Sequence, residues 1–390
     1  MKITDITTTV VNAEMRNWVF VKVHTDAGLY GWGEATVEWK TRAVVGAIED
    51  LKPLLLGRDP RDIRQNVRVM TKHGFWKPGV VIMSAISGIE HACWDVLGKS
   101  VNEPVWRLLG GKVRDRVKIY THLGLGDMRA VYETMEAGAL CDYASELVER
   151  GYGAFKVVFI PYTNYTTVPR ALRHVGVLME KLRERVGNEV EVMIDFHGRC
   201  GSSKVAQQFI RELEPFDPLF VEEPIQPGDI ESLRQITLAA TCPVATGERL
   251  IGQGDFEPLF HQRAINIAQP DLNHCGGLLE AQGIAAAAAV ANIGIAPHNP
   301  NGPLAAAAAL HFAMATPNHV IQEVMDRSVP WYDEVVQVSP VVRNGAYWEL
   351  PTAPGLGIEV NEEEAARHPF QQEKIPTVNA VLTDGTVVDW

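Results

Sequence analysis

From residue 117 onward, short apolar runs recur with helical stretches between them, and an ionisable residue closes most of the runs. The runs are VKIYT (117–121), AFKVVF (154–159), VEVMID (190–195), PLFVEE (218–223), PVATGE (243–248), INIAQPD (265–271), IGIAPH (293–298) and HVIQE (319–323). Strand alternating with helix dictates a parallel sheet, and eight such units are the number that closes a TIM-type barrel. The alanine-rich stretches LLEAQGIAAAAAVAN and LAAAAALHFAMAT occupy helix slots, where small side chains allow close packing on a barrel.

The first hundred residues follow a different pattern. TDITTTVV and WVFVKVHTDAGLYGWGE alternate in β-branched and aromatic residues around Asp26-Ala27-Gly28, a hairpin signal, and VVIMSAISGIEHACWDVLGK carries helical spacing. The expected architecture is therefore α/β: an α+β capping domain over residues 1–112, a (β/α)7β barrel of TIM type over 113–330, and a segment 331–390 returning to the capping domain.

Composition narrows the function. A formal charge of −12 disfavours nucleic acid as a partner, because phosphate affinity rests on clustered Lys and Arg. No run reads as a membrane span, and MKITDITTTVV lacks the basic and apolar regions of a secretory signal. The five cysteines are scattered and include no C-x-x-C pair, which disfavours zinc ribbons and disulfide frameworks. A cytoplasmic protein with a small-molecule partner is the expectation.

Barrel enzymes carry their chemistry on the loops at the C-terminal ends of the strands. Asp195, Glu222 and Glu248 end three successive strands, and three converging carboxylates repel one another unless a cation sits among them. Oxygen-only ligands favour a hard cation, with Mg²⁺ the best fit. Asp271 and His298 end neighbouring strands; a carboxylate on one imidazole nitrogen fixes the tautomer and raises the basicity of the other, making His298 a candidate general base. His197 lies two residues beyond Asp195, on the same face if the segment is extended, and is a candidate acid. Lys156 is a candidate to pair with a ligand carboxylate, and Glu323 could be a buried hydrogen-bond partner. Trp18 and Trp76, in the loop candidates 12–18 and 71–79, are candidate substrate contacts, with domain-interface packing as the alternative.

Taken in order, FKVVF, MIDFHGR, FVEEP, TGER, QPDLNHCGG, APHNPNGP and IQEVMD resemble the enolase superfamily, its mandelate racemase subgroup, and within it the acid-sugar dehydratases of galactonate dehydratase type. The resemblance spans almost the whole chain, including GWGEA and IEHACWDVLGK. It implies Mg²⁺ on Asp195, Glu222 and Glu248, His298 with Asp271 as the base, Glu323 bound to the substrate carboxylate, and His197 as general acid. It also implies a homo-oligomer, commonly an octamer. Many relatives carry a second lysine two residues after the first on the second strand; Val158 stands there, which argues against a racemase using that lysine.

The expected activity is dehydration of an aldonate such as galactonate, gluconate or mannonate to a 2-keto-3-deoxy acid. An epimerase or cycloisomerase acting through the same enolate is the alternative, and a non-catalytic structural barrel the second. Substrate selection is expected to depend on the capping loops.

Overall fold

The computed structural model describes residues 1–123, 137–325, 327–373 and 380–389. Its first module is an antiparallel sheet of β1 (Ile3–Asn12), β2 (Asn17–Thr25) and β3 (Tyr30–Glu34) in that order, followed by the helices Thr41–Leu55, Ile63–Lys72 and Val80–Val101. The helix Val80–Val101 lies directly on β3. A Cβ built on Gly31 or Gly33 would come within 2.0 Å of the carbonyl oxygens of Ala92 and Gly88, so only glycine permits this approach.

That helix is long and apolar enough to cross a bilayer, contrary to the expectation that no segment would be. It is buried within the fold, and Glu90, His91 and Asp95 are among its buried residues.

The barrel follows: β4 (Arg116–His122), β5 (Ala154–Val157), β6 (Glu191–Asp195), β7 (Val221–Glu222), β8 (Val244–Thr246), β9 (Ile267–Ala268), β10 (Gly294–Ile295) and β11 (Gln322–Val324). Consecutive strands from β4 to β10 pair in parallel, and β11 pairs in parallel with β4. The circle closes between β10 and the approach to β11, where Ile295 N donates to Asn318 O at 2.9 Å and Val320 N to Ile295 O at 2.7 Å. The expected eight strands are all present at the expected places.

Inside the barrel, Tyr120, Ala154, Met193, Phe220, Ala245, Ile267, Ala296 and Ile321 form one buried cluster, a filler from each strand or its flank. Because side chains alternate along a strand, the residue two positions further on points into the mouth. That rule selects His122, Lys156, Asp195, Glu222, Gln269, His298 and Glu323. At β8 it selects Gly247, whose φ of 141° turns the chain and leaves Glu248 to enter the mouth.

The C-terminal segment divides its contacts. Trp331 and Tyr332 pack edge-on against Trp18 of β2, Tyr30 Oη donates to Glu359, and Leu356 N donates to Asp95 Oδ1 at 2.7 Å, so this part meets the first module. The hairpin at Arg343–Glu349 instead pairs antiparallel with the entry of β4, which exposes a free edge before it joins the barrel. The segment therefore does not return to the cap alone.

The first module also caps barrel helices from outside. The helices Leu278–Val290 and Pro303–Ala315 begin after Gly277 and Gly302, which have no side chain to cap them. Glu90 accepts from Leu278 N and Leu279 N, each at 3.0 Å, and Glu34 accepts from Gly302 N and Ala305 N. Carboxylates at helix N-termini satisfy orphan N–H groups and complement the helix dipole. Burial is the largest influence on both acids and pushes each up to about 7, against the lowering effect of these hydrogen bonds.

Candidate active site

The mouth residues converge. Asp195, Glu222 and Glu248 present carboxylate oxygens that all lie within 4.8 Å of one another. Lys156 Nζ sits 2.8 Å from Glu222 Oε1, 3.0 Å from Glu323 Oε1 and 3.3 Å from Asp195 Oδ2, with only 1% of its side chain exposed. Burial opposes its charge, but Glu222, Glu323 and Asp195 outweigh burial and hold the ammonium well above the ordinary lysine range.

The acids differ in what surrounds them. Burial, then Asp195, push Glu222 up to about 7 in spite of Lys156. Burial, then Glu223, push Glu248 up strongly. Burial also opposes charge on Glu323, but Lys156, His298 and His122 overcome it and hold this carboxyl well down. Glu222 Oε2 is buried and has no hydrogen-bond partner among the described residues. One ammonium against the three acids it contacts, with Glu248 beside them and an orphaned carboxylate oxygen, is the donor set a hard divalent cation fits.

His298 joins this cluster to Asp271. Its Nδ1 lies 2.8 Å from Asp271 Oδ2 and its Nε2 3.3 Å from Glu248 Oε2. Burial disfavours the imidazolium, but Glu248, Glu323 and Asp271 together raise it to about 10. A divalent cation on Glu248 would cancel part of that attraction and return the imidazole towards its neutral, basic form. Asp271 is itself fixed by the backbone N–H of Asn273 at 2.7 Å and the side-chain amide of Asn301 at 3.0 Å.

His197 departs from the expected geometry. β6 ends at Asp195, and the chain then turns, with His197 at φ 55° and its N–H donating to Asp195 Oδ1 at 2.7 Å. The extended backbone that would have put both side chains on one face is absent. The ring lies in the field of Arg199, Glu223 and Arg249, and burial pushes its pKa down to about 4. Glu223 and Arg249 form a bidentate pair beneath this turn, and Gln226 ties Arg249 to the carbonyl of Gly198.

The two tryptophans also separate. Trp18 is 1% exposed, stacked on Phe20 and met edge-on by Trp331 and Tyr332, so it is an interface residue and offers no open face to a substrate. Trp76 is 75% exposed, edge-on to Phe75, in the stretch whose Lys77 lies 4.0 Å from Asp255.

Several site residues escaped the sequence reading. His122 Nε2 meets Glu323 Oε1 at 2.5 Å. Asn299 N donates to Glu323 Oε2 at 2.7 Å, and Gln269 is fully buried with neither amide atom hydrogen-bonded among the described residues. The two-residue rule from the barrel fillers finds His122 and Gln269; the asparagines follow His298 and carry no periodic signal.

Comparison with known proteins agrees with this fold. A family model described as the mandelate racemase/muconate lactonizing enzyme N-terminal domain matches residues 2–110, and one described as enolase C-terminal domain-like matches residues 139–365. A mandelate racemase/muconate lactonizing enzyme from Sulfitobacter sp. is 34% identical over 95% of this chain and 96% of that one, with a TM-score of 0.87. A mandelate racemase/muconate lactonizing enzyme-like protein from Roseovarius sp. TM1035 is 33% identical over 96% and 97%, with a TM-score of 0.89. An enolase from Agrobacterium radiobacter, provisionally named a galactarate dehydratase and solved with Na and L-malate, is 31% identical over the whole of both chains, with a TM-score of 0.89.

Proposed function

The chain belongs to the mandelate racemase/muconate lactonizing group of the enolase superfamily, and on that premise we propose that it is a Mg²⁺-dependent dehydratase of a sugar acid. The observation that carries the reading is His298, bonded to Asp271 through one nitrogen and facing Glu248 of the carboxylate triad through the other. A base at His298 would be oriented by Asp271 and would act beside the charge cluster proposed to hold an acid substrate. The resemblance of the motifs to acid-sugar dehydratases, and the provisional names of relatives, support the substrate class.

Asp195, Glu222 and Glu248 would hold the metal, which when bound supplies positive charge to the substrate carboxylate as negative charge builds on it. Lys156 adds a buried cation beside the same carboxylate, and Glu323, itself held by His122 and Asn299 N, fixes the position of that ammonium. His298 removes the proton on C2. Asp271 holds the tautomer that leaves Nε2 free and stabilises the imidazolium formed. His197 donates a proton to the C3 hydroxyl as it leaves, and the enol product tautomerises to a 2-keto-3-deoxy acid.

One observation favours a second reading. The His197 environment disfavours its protonated form. A neutral His197 is suited to accept a proton, and with His298 as the partner acid that would epimerise C2 without elimination. NMR of products from galactonate, gluconate, mannonate and galactarate with Mg²⁺ in deuterated water tests both. A keto acid from any one supports dehydration; a C2-deuterated stereoisomer mixture with no keto acid replaces it by epimerisation; no change in any substrate removes both.

A further inference from the structure

The loop from His298 to Gly302 carries the proposed base, yet among the described residues no backbone–backbone hydrogen bond fastens residues 298–301. Side chains hold it instead. Asn299 N donates to Glu323, Asn301 Nδ2 donates to the same Asp271 oxygen that faces His298 Nδ1, and Gly302 N donates to Glu34 Oε1 at 2.7 Å.

Glu34 is the final residue of β3, in the capping module. Alternation along β3 turns Gly31 and Gly33 towards the helix Val80–Val101 and Glu34 towards the barrel. Its carboxylate is fully buried. Oε1 also accepts from Thr36 Oγ1 at 2.7 Å, and Oε2 accepts from Ala305 N at 2.9 Å. A Cβ on Gly302 would lie 2.9 Å from both carboxylate oxygens, so the glycine is what lets the acid reach the backbone.

We propose that Glu34 is a positioning residue for the His298–Asp271 pair: by clamping Gly302 it fixes Asn301, and through Asn301 the Asp271 carboxylate. The base would then be set only when the capping sheet is seated on the barrel. This rests on the reading of His298 as the base, and it assigns the capping module a part in proton abstraction besides substrate selection. Glu90 makes the matching clamp on the preceding helix, but the residues it binds, Leu278 and Leu279, lie seven and eight positions beyond Asp271.

The test uses full-length Glu34→Ala, Glu34→Gln and, as a control, Glu90→Gln. In the ligand-free protein, the His298 Nδ1–H proton is followed by ¹⁵N-edited NMR, which needs no substrate. Exchange at C2 of galactonate, gluconate, mannonate and galactarate with Mg²⁺ in deuterated water is then measured, with Mg²⁺ affinity by calorimetry.

The expected result is loss or an upfield shift of the Nδ1–H signal in Glu34→Ala. The exchange kcat should fall on the order of 10²-fold, the effect of a misplaced reacting group, with Mg²⁺ affinity and KM within a few-fold of wild type. Glu34→Gln, which keeps one acceptor oxygen, should recover part of the loss and carries the test if Glu34→Ala does not fold. Glu90→Gln should keep both signal and exchange. Folded Glu34 variants with an unchanged Nδ1–H signal and unchanged kcat would overturn the proposal, as would equal losses in Glu34→Gln and Glu90→Gln. A wild type that exchanges none of the acids, with the Nδ1–H signal still dependent on Glu34, overturns the functional reading and leaves the positioning standing.

Discussion

The Lys156 ammonium and the Glu222 carboxylate lie 2.8 Å apart, both closed off from water, and Glu323 and Asp195 flank the same ammonium. Removing one partner of a buried ion pair leaves the other uncompensated, at a cost of about 3–5 kcal/mol. Lys156→Met should therefore destabilise the metal-free protein by that order and enlarge the stabilisation gained from Mg²⁺, because the ion then replaces the cation that contacts Glu222. Thermal unfolding with EDTA and with Mg²⁺ checks this; an equal Mg²⁺ increment in wild type and variant refutes it.

Glu248 contributes to the triad and faces His298, but the barrel core lies below it. Glu248→Gln should fold and keep its secondary structure while losing most Mg²⁺ affinity and all turnover. Calorimetric titration of Mg²⁺ decides the point, and undiminished affinity would remove Glu248 from the metal site.

His298→Asn should abolish turnover while leaving Mg²⁺ binding intact. Asparagine retains a polar group near Asp271 but cannot take the proton. Persistent exchange of the C2 proton with solvent in this variant would move the base elsewhere.

His197→Asn should block elimination more severely than exchange at C2, because the base is still present. Parallel assays of keto-acid formation and deuterium uptake measure the two. Equal losses would sink the role of His197 as acid.

Glu90 is raised from 4.5 to about 7 by burial, its hydrogen bonds opposing. The folded state holds this proton more tightly than the unfolded chain, so the contribution is fully present below about pH 4.5 and is lost as pH rises to about 7. A shift of that size corresponds to about 3 kcal/mol. Glu90→Gln, which cannot ionise, should flatten the decline of unfolding free energy between pH 5 and 7.5. Identical slopes by denaturant unfolding would show that Glu90 keeps its ordinary pKa.

The barrel was legible because its signals are local. Each strand is a short apolar run; Asp195, Glu222 and Glu323 lie within their strands and His298 three residues past β10, and counting by two from the barrel fillers directs all four to one mouth. Asp271 and Glu248 were found from the same runs, although Gly247 breaks the alternation that would have excluded Glu248. His122 could have been found by the same counting from Tyr120. The apolar run VKIYT stops at Thr121, whereas β4 continues one residue further to His122.

What the sequence determined by itself was thus periodic: the order of strands, the residues filling the barrel, and the acids and histidine beyond them. Only the tertiary structure decided relationships between segments far apart in the chain. Trp18 reads as a substrate contact or as interface core until Trp331 and Tyr332 pack against it, and His197 reads as extended until a left-handed turn redirects it. Glu34 lies 268 positions from Gly302, and no local pattern announces that its carboxylate caps that turn. Alternation is a property of one strand, whereas a cap supplied by another domain exists only once both have packed.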